Sequence, residues 1–143
     1  MRFFLFVLIL VGCVQDNLSP ESALKSFIEL RSGAVVSRDE VLSRISGKMR
    51  ESIVNMPEAD FEKYADMKNI KFDSFKILSK SCTEERCFIT YSIEFSTLNE
   101  NKTGSKSEVK KIAELSKEDG KWLISDVTNM KTYHDMIEPI NAL

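Results

Sequence analysis

One histidine in 143 residues leaves the chain poorly supplied for metal binding or imidazole-centred catalysis. No Gly-x-Ser-x-Gly elbow, Gly-rich phosphate loop, His-Glu-x-x-His helix or calcium loop occurs, so no cofactor and no metal is implied. Five Gly and three Pro rule out collagen-like and low-complexity architectures. Neither sign of charge dominates. With 20 Lys and Arg against 22 Asp and Glu, the net charge of -2 gives no basic footprint for nucleic acid or for an anionic membrane surface. The longest apolar run, Phe3 to Val11, is nine residues; as a helix it spans roughly 14 Å, less than half of a bilayer core. What is present is a chain that is 43% hydrophobic and 29% charged, enough for one folded domain.

Arg2 followed by that apolar run reads as the charged start and hydrophobic centre of an export signal. Its end, Leu10-Val11-Gly12-Cys13, resembles the lipobox of bacterial lipoprotein signal peptides, in which a thiol at the membrane surface takes a diacylglyceryl group and the chain is cut before it. The resemblance implies a signal peptide over 1–12, lipidation at Cys13, a short linker over 13–18 and one domain over 19–143. Multiple acyl chains hold stably where one is marginal, so the membrane partner is engaged through lipid. The implied location is the bacterial cell envelope, outside the cytosol. Val14 rather than Asp after the Cys favours the outer membrane.

With Cys13 lipidated, Cys82 and Cys87 remain as a pair around Thr83-Glu84-Glu85-Arg86. A four-residue hairpin loop sets its flanking residues opposite one another at about 4.5–5.5 Å between Cα atoms, a separation that a disulfide tolerates. The spacing is not the Cys-x-x-Cys of a redox helix, and zinc would need further ligands. A structural disulfide is therefore expected, in keeping with an oxidising compartment.

The remaining sequence reads as helices followed by strands. Ser19-Pro20-Glu21 opens a helix with the apolar stripe Ala23, Leu24, Phe27, Ile28 and Leu30. Ser37 to Glu40 is a capping box for a second helix bearing Val41, Leu42 and Ile45; Gly47 interrupts it before Met49, Ile53 and Val54. Pro57-Glu58 begins a third helix with Phe61, Tyr64, Ala65 and Met67. From Ile70 the period becomes two, clearest in Ile89, Tyr91, Ile93 and Phe95. Pairing Cys82 with Cys87 would set Phe75 against Glu94 and Ile77 against Ser92, so a bulge is predicted within Ile77 to Lys80. Leu98 to Lys106 reads as a flexible connection, Val109–Ser116 and Lys121–Thr128 as a hairpin around Asp119-Gly120, and Thr132 as the cap of a last short helix through Ile137.

This order predicts an α+β fold with N-terminal helices packed on a curved antiparallel meander. Ser19-Pro20-Glu21-Ser22-Ala23 leading to Phe27, and Leu115 to Ile124 with its Lys-Glu-Asp-Gly-Lys-Trp core, resemble the nuclear-transport-factor-2-like superfamily, which implies a cone-shaped α+β domain. That fold hosts many functions, so a role must come from the site. Asp126 shares parity with Trp122 and Ile124 and is the candidate inward-facing acid for a pocket enzyme of the isomerase, dehydratase or hydrolase kind. Glu94 falls on the polar phase of its strand, Lys106, Lys110 and Lys111 read as a mixed solvated face, and His134 lies in the tail. Without a catalytic set, the sequence favours a non-catalytic, lipid-anchored accessory module that binds an envelope protein or a small hydrophobic ligand.

Overall fold

Helix α1 (Pro20–Arg31) begins where expected: the Ser19 hydroxyl accepts the Ser22 N–H at 3.1 Å, and the Ser22 side chain returns a contact to the Ser19 N–H. The computed structural model describes residues 19–33, 36–98 and 104–136; the signal peptide, Cys13 and the linker expected over 1–18 lie outside them. A second capping box, Ser37 with Glu40, opens α2 (Arg38–Leu42). Helix α3 covers Gly47–Val54 and α4 covers Glu58–Ala65, with Phe61 buried. Val54, expected to face inward, is exposed.

The second predicted helix is thus two helices, and the break comes before Gly47. Arg44 to Ser46 runs beside the sheet as an isolated parallel bridge: the Ser46 N–H donates to Ile124 O at 2.8 Å and the Ile124 N–H donates to Arg44 O at 3.0 Å. Ile45 and Ile124 are both fully buried there. Gly47 then turns the chain with φ +49°, and a Cβ on it would lie 3.4 Å from that of Ser125. Arg38 ties the helices together by donating to Ile53 O (2.6 Å), Met56 O (2.8 Å) and Glu58 Oε2 (2.9 Å).

Strands β1 (Ile70–Cys82), β2 (Arg86–Leu98), β3 (Gly104–Glu118) and β4 (Lys121–Met136) form one antiparallel sheet in chain order. Helices α1 and α3 pack on β4. Leu24, Val41, Ile53, Ile89, Leu115 and Ile124 fill the layer between helices and sheet. The other face is polar and carries the Lys106–Glu94 ion pair at 3.0 Å. The β3–β4 turn is Asp119-Gly120 with both φ values positive, as a two-residue hairpin of this twist requires.

Register is where the sheet departs from simple alternation. The bulge expected within Ile77 to Lys80 is present at Leu78, and it sets Ile77 against Tyr91 and Phe75 against Ile93. Three more unpaired residues follow the same logic: Asp73 in β1, and Ser125 and Met130 in β4. Each reverses the side-chain parity of the strand beyond it.

Three expectations are corrected. Gly104 to Lys106 belongs to β3 rather than to a flexible connection. Thr132 to Met136 continues β4 opposite Ser105 to Val109, because an unpaired stretch of β3 backbone offers a ladder of hydrogen bonds that outweighs a local capping signal. The remainder of the predicted last helix, and Pro139, lie outside the described residues. The nuclear-transport-factor-2-like cone is replaced, among the described residues, by an α+β arrangement of four helices on a four-stranded meander, since helices followed by strands is an order that many layered folds share.

The Cys82 and Cys87 sulfurs lie at disulfide distance with Cα atoms 4.0 Å apart, at the end of the β1–β2 hairpin. Replacing both by Ser is expected to lower unfolding stability by about 2 kcal/mol, the chain entropy of so short a loop. Urea denaturation of the variant against the oxidised parent measures this, and equal midpoints would reject it.

Candidate functional site

The inward face of the sheet serves two purposes. Toward the Cys87 end, Ile89, Ala113, Leu115, Trp122 and Ile124 are buried under the helices. Toward the other end the layers part around a cavity of about 540 Å³. Its wall is mostly apolar: Phe27 and Ile28 from α1, Met49 from α3, Phe72, Ile93, Phe95 and Val109 from the sheet. This size and lining are those of a small-molecule site.

Polar groups enter the wall at few places. Arg31, in the last turn of α1, lies over the Tyr64 ring with its guanidinium carbon 3.6 Å from the centroid and donates from Nη2 to Tyr64 O at 2.8 Å. The Arg31 Nε and the Tyr64 hydroxyl are buried without a hydrogen-bond partner among the described residues. Lys111 projects from β3 on the same side as Val109 and Ala113. Burial draws its ammonium below the ordinary lysine range, and the Arg31 charge adds to the effect. Burial likewise pushes the Tyr64 and Tyr91 phenols up. Asn129 and Thr132 supply neutral polar atoms from β4. Among the described residues no carboxylate lines the cavity, and no group of three His, Cys, Asp or Glu side chains is placed to hold a metal.

Asp126 is not in the cavity. Its expected inward orientation assumed unbroken alternation from Trp122 and Ile124, but Ser125 is the extra residue between the Leu115–Ile124 and Glu114–Asp126 pairs. The Ser125 hydroxyl donates to Glu114 O at 3.0 Å, and beyond it Val127 and Asn129 line the cavity instead. The Asp126 carboxylate accepts the Val127 N–H at 2.8 Å. Glu94 is on the outer face, and His134 stands in β4 opposite Ser107.

Two residues that sequence reasoning passed over are central here. Lys111, grouped with Lys106 and Lys110 as a solvated face, occupies the inward phase set by Val109, Ala113 and Leu115. Arg31 continues the buried helical series Leu24, Phe27 and Ile28. In both cases the signal was a cation on the apolar phase of its own element.

Lys111 and the two phenols give opposite pH dependences. A lysine held below its ordinary value of 10.5 leaves the unfolded chain with more protons as that pH is approached, so stability rises with pH there. Tyrosines held above 10.0 leave the folded chain with more protons, so stability falls above that pH. Denaturation midpoints are expected to climb as pH nears 10 and decline beyond it. Lys111→Met should flatten the climb and leave the decline; an unchanged climb would contradict the placement of Lys111.

No family model and no curated protein sequence matches the chain. Among solved structures, it is similar to the solution structure of a SEC-C motif containing protein from Rhodopseudomonas palustris, with a TM-score of 0.61 and 14% identity over 80% of this chain and 81% of that one. It is also similar to the crystal structure of the intermembrane space region of the chloroplast protein ARC6, with a TM-score of 0.57 and 11% identity over 80% of this chain and 96% of that one. At such identities the likeness is one of fold. It stands in place of the expected nuclear-transport-factor-2-like assignment, and what the chain shares with these two proteins is its α+β arrangement.

Proposed function

We propose that the chain is a lipid-anchored protein of the bacterial envelope, held at Cys13 outside the cytosol, whose domain binds a small hydrophobic ligand without transforming it. The observation that carries the ligand part is the cavity of about 540 Å³, walled by aromatic and aliphatic side chains from both layers. A site left open between helices and sheet suits a guest molecule better than a purely structural scaffold, which would fill that space with its own side chains. The Asp126 carboxylate, taken up by the Val127 N–H outside the cavity, gives the pocket-enzyme alternative no acid at the site. The anchor part is supported by Leu10-Val11-Gly12-Cys13 behind the apolar run. The cysteine pair at disulfide distance fits an oxidising compartment.

Protein purified from bacterial membranes in a non-ionic detergent tests both parts. Intact-mass measurement is expected to show residues 1–12 removed and a diacylglyceryl thioether at Cys13; a retained leader with a free thiol would overturn the anchor. Native mass spectrometry with 1-dodecanol is expected to show a saturable one-to-one adduct. Asn129→Trp, which fills the cavity from β4, should abolish that adduct, whereas Asp126→Asn should leave it intact. Absence of any adduct in the parent protein would overturn the ligand reading.

A further inference from the structure

The cavity is apolar in most of its wall, yet it contains two cations and, among the described residues, no anion. Several cations elsewhere meet carboxylates, among them Arg38 with Glu58 at 2.9 Å, Lys106 with Glu94 at 3.0 Å and Lys80 with Glu21, while others such as Lys48, Lys76 and Lys121 are exposed to water. Neither Arg31 nor Lys111 has a carboxylate partner among the described residues. Arg31 is instead fixed in place by neutral groups, the Tyr64 ring at 3.6 Å and the Tyr64 carbonyl at 2.8 Å, and its Nε and the neighbouring hydroxyl find no partner among the described residues. A guanidinium held this way is pre-organised, so little rotamer freedom is lost when it meets a ligand.

Two like charges sharing a partly desolvated space repel each other, and each loses hydration that an apolar wall does not replace. An anion placed with them reverses the first effect and offsets the second through charge-assisted hydrogen bonds. Burial first, and the Arg31 charge second, depress the Lys111 ammonium, which is the lost hydration and the repulsion seen from the protein alone. The remaining wall, including Phe72, Ile93 and Val109, offers only dispersion and apolar burial, which suits an alkyl chain.

We propose that the ligand is a single-chain amphiphile with an anionic head, carboxylate or phosphate, whose head sits with Arg31 and Lys111 and whose tail lies along the apolar wall. This inference rests on the hydrophobic-ligand reading and narrows it to one chemical class.

Native mass spectrometry of the full chain released from non-ionic micelles, titrated with chain-matched probes, separates the possibilities. Dodecanoate or dodecyl phosphate is expected to bind at least tenfold more tightly than 1-dodecanol, the return from one or two charge-assisted contacts. Acetate and inorganic phosphate, lacking a tail, should give no adduct. Whichever of the two anionic probes binds more tightly identifies the head group. Lys111→Met is expected to remove about tenfold of the preference for the anionic probes over 1-dodecanol, and Lys111→Arg should restore it. Because Arg31 also braces Tyr64, Lys111 is the informative position, and a cooperative thermal transition of Lys111→Met with a midpoint no lower than the parent's confirms that the fold is kept. Equal binding of 1-dodecanol and the anionic probes would overturn the anionic-head inference while leaving the hydrophobic-ligand reading intact. Binding of none of the tailed probes would remove both. A preference unchanged in Lys111→Met would overturn the assignment of the head to this residue.

Discussion

The constraint on which this domain depends is parity: every strand must keep one phase toward the helices over lengths of 13 to 16 residues, although the apolar residues of β1 and β4 do not alternate strictly. The chain meets it by insertion. Asp73, Leu78, Ser125 and Met130 each add one residue without a register partner, and these insertions keep Phe72, Phe75 and Ile77 of β1 and Ile124, Val127 and Asn129 of β4 on the inner face. Leu78 and Met130 are themselves left exposed, a modest loss of apolar burial that maintains a continuous inner surface. Without the extra residue at Ser125, Asp126 would take the place of Val127 against the helices.

The same inner face then divides in two. At one end, small and branched side chains close it completely, with Ala113, Leu115 and Ile124 fully buried. At the other, larger aromatic side chains stand around a space instead of filling it, and the helices bring Arg31 rather than a further Leu or Ile to its edge. A well-packed half provides the rigidity that lets the other half remain open. The segment from Arg44 to Ser46, bonded to Ile124 through its backbone, joins the helical layer to β4 within the packed half. It therefore fixes the sheet close to the bulge at Ser125 that turns Asp126 away from the cavity.

Much of this was legible from the amino acids. Ser19 and Ser37 marked helix starts because capping is a local interaction between neighbours, and Pro57 did so because its ring fixes a φ that suits a helix entry. The bulge at Leu78 could be inferred because the Cys82–Cys87 pair anchors the register and the apolar residues of β1 then fall out of step. The bulges of β4 could not be placed this way: no cysteine pins its register, and the polar run after Ile124 carries no phase of its own. That gap misplaced Asp126, and the same polarity suggested a helix where β4 continues through Met136. Arg31 and Lys111 were legible in principle, as cations on apolar phases, but composition alone groups them with solvated charges.

The Glu21–Lys80 contact fixes an orientation along α1. It joins the first turn of that helix to the part of β1 just before Cys82, while Arg31, in its last turn, reaches the cavity. Twelve helical residues separate these two ends by about 18 Å. The helix start that follows the linker therefore lies at the packed, hairpin-bearing end of the domain, and the cavity opens at the far end of α1.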